Sequence, residues 1–83
     1  MNKTEITQKV NHFLINEIEI EENLILPDAL LTKDLGIDSL DIVDIIVIVE
    51  QVFGVKIKGE ELKNVKTLQQ FYDFIENKTE IIS

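Results

Sequence analysis

Apolar residues recur along this chain at steps of three and four far more often than at steps of two. Ile6, Val10, Phe13, Leu14 and Ile18 form one such stripe, and Asn2 with Glu5 has capping-box spacing ahead of it. The pattern predicts a first helix over Lys3–Glu17. A second stripe, Ile42, Ile45, Ile46, Val49, Val52 and Phe53, steps by 3, 1, 3, 3 and 1. Its Ile/Val content suits a strand, but a half-buried strand alternates and this segment does not. It spans about fifteen residues, long for a strand and ordinary for a helix. Gly54 follows as a stop, and Asp38 with Asp41 supplies a cap and first-turn negative charge. A second helix is therefore predicted, with packing overriding propensity.

Between these helices, Glu19–Lys33 holds the only proline, Pro27, and no sustained period. It reads as a long loop pinned to the core by some of Leu24, Leu26, Leu30 and Leu31. Loops of that length in compact domains are usually functional. After Gly54, Val55 and Ile57 suggest a short extended connection. Glu60–Asn64 suggests one helical turn, with Leu62 and Val65 facing inward. Thr67 and Gln70 repeat the capping-box spacing, and Leu68, Phe71, Tyr72 and Ile75 make the last stripe. A final helix over Leu68–Asn77 is predicted, with residues 78–83 a frayed tail. The expected fold is all-α: a small four-helix bundle of three main helices and one short one, a single domain over residues 1–83.

Leu40, Val43 and Val47 form a further apolar stripe on the second helix, bordered by Asp41 and Asp44. A helix apolar on two faces is either deeply buried or keeps one face for a partner. In an 83-residue chain, with acids beside the stripe, a partner face is the better reading.

Charge sharpens that reading. The net charge is −8, every positive residue is a lysine, and Asp34–Gln51 holds Asp34, Asp38, Asp41, Asp44 and Glu50 without one lysine. Nucleic acid and anionic membranes need basic surface, so both are disfavoured, and a basic protein partner is favoured. A hydrophobic content of 45% argues for a folded domain. No apolar run approaches the roughly 20 residues of a membrane span, and MNKTEITQKV has no signal-peptide core. A cytoplasmic monomer is expected.

The candidate chemistry centres on Ser39. Nucleophilic catalysis needs a base, and the only histidine is His12, far along the first helix; G-I-D-S-L is not a nucleophile elbow. Asp34, Asp38 and Asp41 do not fit a calcium loop, and no metal is expected. A modified serine would place its phosphate at the positive end of the helix dipole. On local physics alone, however, a helix N-cap is the commoner use of such a serine.

The run DLGIDSLD, Asp34 to Asp41, resembles the prosthetic-group attachment motif of acyl carrier proteins. The resemblance extends to DALLTKDLG upstream, to EQVFGVKI and EELKNV downstream and to the helix after Thr67, nearly the whole chain. It implies a non-catalytic carrier. Ser39 would bear 4′-phosphopantetheine, installed from coenzyme A by a phosphopantetheinyl transferase, and the arm's thiol would hold acyl groups as thioesters. Leu40, Val43 and Val47 match the family's apolar contacts with partner enzymes, and Asp38, Asp41, Asp44 and Glu50 its acidic ones, which meet Lys/Arg patches. Apolar residues lining the bundle would sequester the acyl chain.

Some positions depart from the pattern. Gln51 and Val52 stand where fatty-acid carriers commonly have glutamates, and Lys58–Gly59 replaces a Pro-Asp/Glu pair. Phe71 and Phe74 are expected to narrow the interior. A carrier for specialised, polyketide-type synthesis is thus an alternative to a fatty-acid carrier; peptidyl carriers are less favoured, and a D-alanyl carrier stays open. The rival from another class is an acidic interaction module with no prosthetic group.

Overall fold

The computed structural model describes residues 2–82. Four helices follow in order: α1 (Lys3–Asn16), α2 (Ser39–Phe53), α3 (Gly59–Leu62) and α4 (Leu68–Ile82), with a single 3-10 turn at Glu22–Leu24. The described residues contain no strand, only an isolated antiparallel bridge between Leu30 and Thr67. The expected all-α bundle with three main helices and one short one is the fold observed. No helix among the described residues is long and apolar enough to cross a membrane.

Every helix stripe but one residue buries as its spacing requires. Ile6, Val10, Phe13 and Leu14 of α1 meet Leu68, Phe71, Tyr72 and Ile75 of α4 in one core with Ile45 and Val49 of α2. Each such side chain contributes about 1.5–3 kcal/mol when fully buried. That is enough to hold the β-branched α2 in a helix against propensity losses of at most about 0.7 kcal/mol per residue. The exception is Val52, expected in the core but 37% exposed. It borders an open depression between α1 and α2 that is lined mostly by polar residues, among them Gln8, Lys9, His12 and Glu17.

Caps set the helix ends. The Asn2 side chain accepts from Glu5 N–H at 2.8 Å. Thr67 and Gln70 bond reciprocally: Gln70 N–H donates to Thr67 Oγ1 at 3.2 Å, and Thr67 N–H to Gln70 Oε1 at 3.2 Å. Gly54 ends α2 in the left-handed conformation, φ +70°, its N–H donating to Glu50 O at 2.9 Å. A Cβ there would meet nothing within 4 Å. Gly54→Ala is therefore expected to cost about 1 kcal/mol through backbone strain alone. Thermal melting checks this, with a fall of about 4–8 °C for a domain of this size.

The long loop is tied down by its backbone. Leu68 and Gln69 N–H at the start of α4 have no intrahelical acceptor, and they donate to Ala29 O (3.0 Å) and Pro27 O (2.8 Å). Leu31 N–H donates to Lys66 O at 2.9 Å. These bonds decide which apolar loop residues bury: Ile20, Ala29, Leu31, Leu35 and Ile37 do, while Leu24 and Leu26 stay exposed. Leu30 is half-buried.

The remaining differences lie at helix ends. The short helix is Gly59–Leu62, one residue earlier in starting than expected, and α1 ends at Asn16 with Glu17 as its C-cap. The backbone stays helical to Ile82, where a frayed tail was expected over 78–83; Ser83 lies outside the described residues. One support for the extra length is Lys78, whose Nζ donates to Glu61 Oε1 of α3 at 3.0 Å and lies 5.7 Å from the Phe74 ring centre. Hydrogen bonding from Lys78 holds the Glu61 carboxyl below its ordinary value of 4.5, against an opposing desolvation. A depressed carboxylate pKa adds stability that is present above the unfolded value and lost as pH falls through the folded one. A carboxyl-carbon NMR titration should therefore place the Glu61 midpoint below 4.5, and Lys78→Met should return it upward.

Candidate functional site

The loop approaches α2 through a turn. Asp34 Oδ2 accepts from Leu30 N–H at 2.8 Å, and Leu35 N–H donates to Leu30 O at 3.1 Å. Gly36 then takes φ +70°, which an L side chain rarely adopts. Leu35 and Ile37 on either side of it are both buried. Two anchors around one left-handed residue thus fix the path of the chain into Asp38 and Ser39. The D-L-G-I-D spacing is a structural device as well as a motif.

Asp38, not Ser39, caps α2. Its Oδ1 accepts from Leu40 N–H (3.0 Å) and Asp41 N–H (2.9 Å), and Asp41 Oδ2 accepts from Asp38 N–H (3.3 Å). Ser39 is the first residue of the helix and is exposed. Its hydroxyl has no hydrogen-bond partner among the described residues. The cap expected from Asp38 with Asp41 is the one observed, and the alternative of Ser39 as the cap falls. The two acids beside Ser39 spend part of their bonding capacity on the backbone.

Ser39 stands on a cleft of about 600 Å³ lined by Leu30, Leu31, Thr32 and Lys33 of the loop, Ile42 of α2, and Gly59, Leu62, Lys63, Val65 and Lys66 around α3. Leu31, Ile42 and Leu62 also line a deeper apolar gap with Leu14, Ile37, Ile45 and Phe71. That gap measures only about 10 Å³, room for one water molecule at most. An apolar path thus leads from the serine towards the core and is closed at its inner end. Phe71 is one of the side chains closing it, as expected; Phe74 lies outside the lining and packs half-buried on the core.

On the outer side of α2, Leu40, Val43 and Val47 are 75%, 58% and 49% exposed. Asp44 and Glu50 beside them are exposed, and Asp41 is half-buried. Among the described residues the ion pairs are Lys3–Asp73 and Lys78–Glu61, so neither the capping Asp38 nor Asp41, Asp44 and Glu50 of this helix is in an ion pair. His12 is exposed on α1, accepts a hydrogen bond from Asn16 Nδ2 to its carbonyl at 2.8 Å, and does not line the Ser39 cleft. No histidine or carboxylate lines that cleft, and no three His, Cys, Asp or Glu among the described residues gather at metal-binding spacing. The basic lining of the cleft, Lys33, Lys63 and Lys66, was not foreseen. Lys63 and Lys66 belong to the connection between α3 and α4 and Lys33 to the long loop before α2, two segments that only the tertiary fold brings together.

An exposed, unbonded serine at the mouth of an apolar cleft fits a covalently attached arm. Comparison with known families agrees. Residues 13–75 match the model described as the phosphopantetheine attachment site. An acyl carrier protein of Thermosynechococcus vestitus is 40% identical over 78 residues, 94% of this chain and 96% of the relative. One from Coprothermobacter proteolyticus is 38% identical, covering 93% and 94%, and one from Petrotoga mobilis 35%, covering 98% and 95%. Matched over almost its full length and across the motif that holds Ser39, this chain belongs to the acyl carrier protein family, whose prosthetic group is 4′-phosphopantetheine.

Proposed function

We propose that Ser39 carries the 4′-phosphopantetheine and that α2 presents Asp38, Leu40, Asp41, Val43, Asp44, Val47 and Glu50 to partner enzymes. The protein is a carrier of acyl groups and not a catalyst. The observation that carries the assignment is the freedom of Ser39. It is exposed, Asp38 has taken over the cap, and no other bond holds the hydroxyl. In attachment, the Ser39 oxygen forms a bond to phosphorus and gives up its proton, and the pyrophosphate of coenzyme A breaks to release adenosine 3′,5′-bisphosphate. The arm supplies a terminal thiol that holds acyl groups as thioesters.

The partner reading is supported by the exposed apolar stripe and the unneutralised acids along it. Such a face suits a phosphopantetheinyl transferase and acyl-handling enzymes with Lys/Arg patches, docking to a monomer. The acyl groups serve fatty-acid or specialised polyketide-type synthesis. Incubation with coenzyme A and a transferase of broad specificity, followed by peptide mass spectrometry, tests the assignment. One phosphopantetheine on the peptide holding Ser39 is expected. No added mass, or mass on another residue, would sink it.

A further inference from the structure

The charged residues lining the Ser39 cleft are all lysines: Lys33 on the loop before α2, Lys63 after α3 and Lys66 before α4. No carboxylate lines it, in a chain where acids outnumber lysines sixteen to eight. All three are exposed, and none is in an ion pair among the described residues. Three like charges around one cleft repel each other, and a chain this rich in acids could have placed a counter-charge among them. An anion arriving in the cleft removes that repulsion.

The arm proposed for Ser39 brings such an anion. Its phosphodiester is negative at every physiological pH and sits next to the capping carboxylates of Asp38 and Asp41. The helix N-terminus offsets part of that repulsion. The lysines across the cleft, which they line together with Leu31, Leu62 and Val65, can offset the rest. Exposed lysine contacts are weak singly, but a tether raises the effective concentration of the arm to about the millimolar range, so weak contacts suffice.

We infer that Lys33, Lys63 and Lys66 form an anion-binding rim that draws the arm into the cleft between α2 and α3. The anion is the phosphodiester or a carboxylate at the far end of the acyl group. This rests on Ser39 being the attachment point, but the first experiment does not require it. Unmodified ¹⁵N-labelled protein is titrated with free 4′-phosphopantetheine and with inorganic phosphate. Saturable amide shifts are expected at Lys33, Lys63 and Lys66 and their neighbours. Affinity should fall about ten-fold in the triple variant Lys33→Gln, Lys63→Gln, Lys66→Gln, the combined effect of three exposed contacts. It should also weaken as salt is raised. Shifts spread evenly over Lys9 and Lys56 as well, or unchanged by the triple substitution, overturn the inference.

The second experiment uses protein carrying the arm as free thiol, as a butyryl thioester or as a succinyl thioester. NOEs from the pantetheine methyl groups to Leu62 and Val65 report the arm in the cleft. Their presence in all three forms identifies the phosphodiester, and in the succinyl form alone the acyl carboxylate. In either case they must fade in the triple variant; NOEs of equal strength there overturn the rim.

Discussion

Ser39→Ala will accept no phosphopantetheine and will melt within a few degrees of the parent protein. The second half of that expectation separates an attachment site from a structural serine. A serine that capped α2 would cost about 1 kcal/mol on replacement by alanine. Ser39 has no such duty, because Asp38 Oδ1 already accepts from Leu40 and Asp41 N–H. Removing one exposed hydroxyl without a partner falls within the roughly ±0.5 kcal/mol of ordinary surface changes. Asp38→Ala should do the opposite. It deletes the side-chain half of the capping box, the two bonds from Leu40 and Asp41 N–H, and should lower the melting temperature by about 4–8 °C, while leaving Ser39 in place. Intact mass after treatment with transferase and coenzyme A, beside thermal melts of both variants, makes the comparison. If Ser39→Ala melts as low as Asp38→Ala, the hydroxyl has a structural job. If Ser39→Ala still gains the arm, another residue bears it.

The contrast between these neighbours also marks how far the chain could be read before it was folded. Steps of three and four in α2 were decisive because burial of Ile45 and Val49 depends on angle around a helix, not on β propensity. The same angular rule failed at Val52, which shares the core side but faces an open, mostly polar depression beside α1. In the long loop no period exists. Which residues bury there is set by Ala29 and Pro27 carbonyls reaching the free amides of α4, a relation between segments some forty residues apart. The end of α4 was similarly hidden, since its apolar stripe stops at Ile75 while Lys78 is held through a bond to α3. At the site, Ser39 was legible only through resemblance, because an N-cap and an attachment serine look alike in sequence. The geometry removed that ambiguity by giving the cap to Asp38. The lysines of the cleft had no signal at all, lying on two connections some thirty residues apart in the chain.

That geometry also divides the acids of α2 into two kinds, and the division determines the second large expected effect. Asp38 and Asp41 are bonded to the backbone at the start of the helix, so reversing them would confuse docking with capping. The side chains of Asp44 and Glu50 are in no hydrogen bond or ion pair among the described residues, and both residues are exposed. Asp44→Lys with Glu50→Lys should slow arm transfer about ten- to hundred-fold at low ionic strength, the range expected when steering by opposite charge is reversed. The fold should not suffer. Each reversal adds two charges, so the net charge moves from −8 to −4 and self-repulsion falls. Glu50 also lies in the last turn of α2, where a cation is favoured by the helix dipole. The variant should therefore melt at or above the parent temperature while being the poorer substrate. Raising salt should slow the parent and leave the variant flat or faster, since screening removes attraction in one and repulsion in the other. Transfer rates equal to the parent's at low salt would show that partners do not read this face by charge. The exposed stripe of Leu40, Val43 and Val47 would then have to direct docking alone.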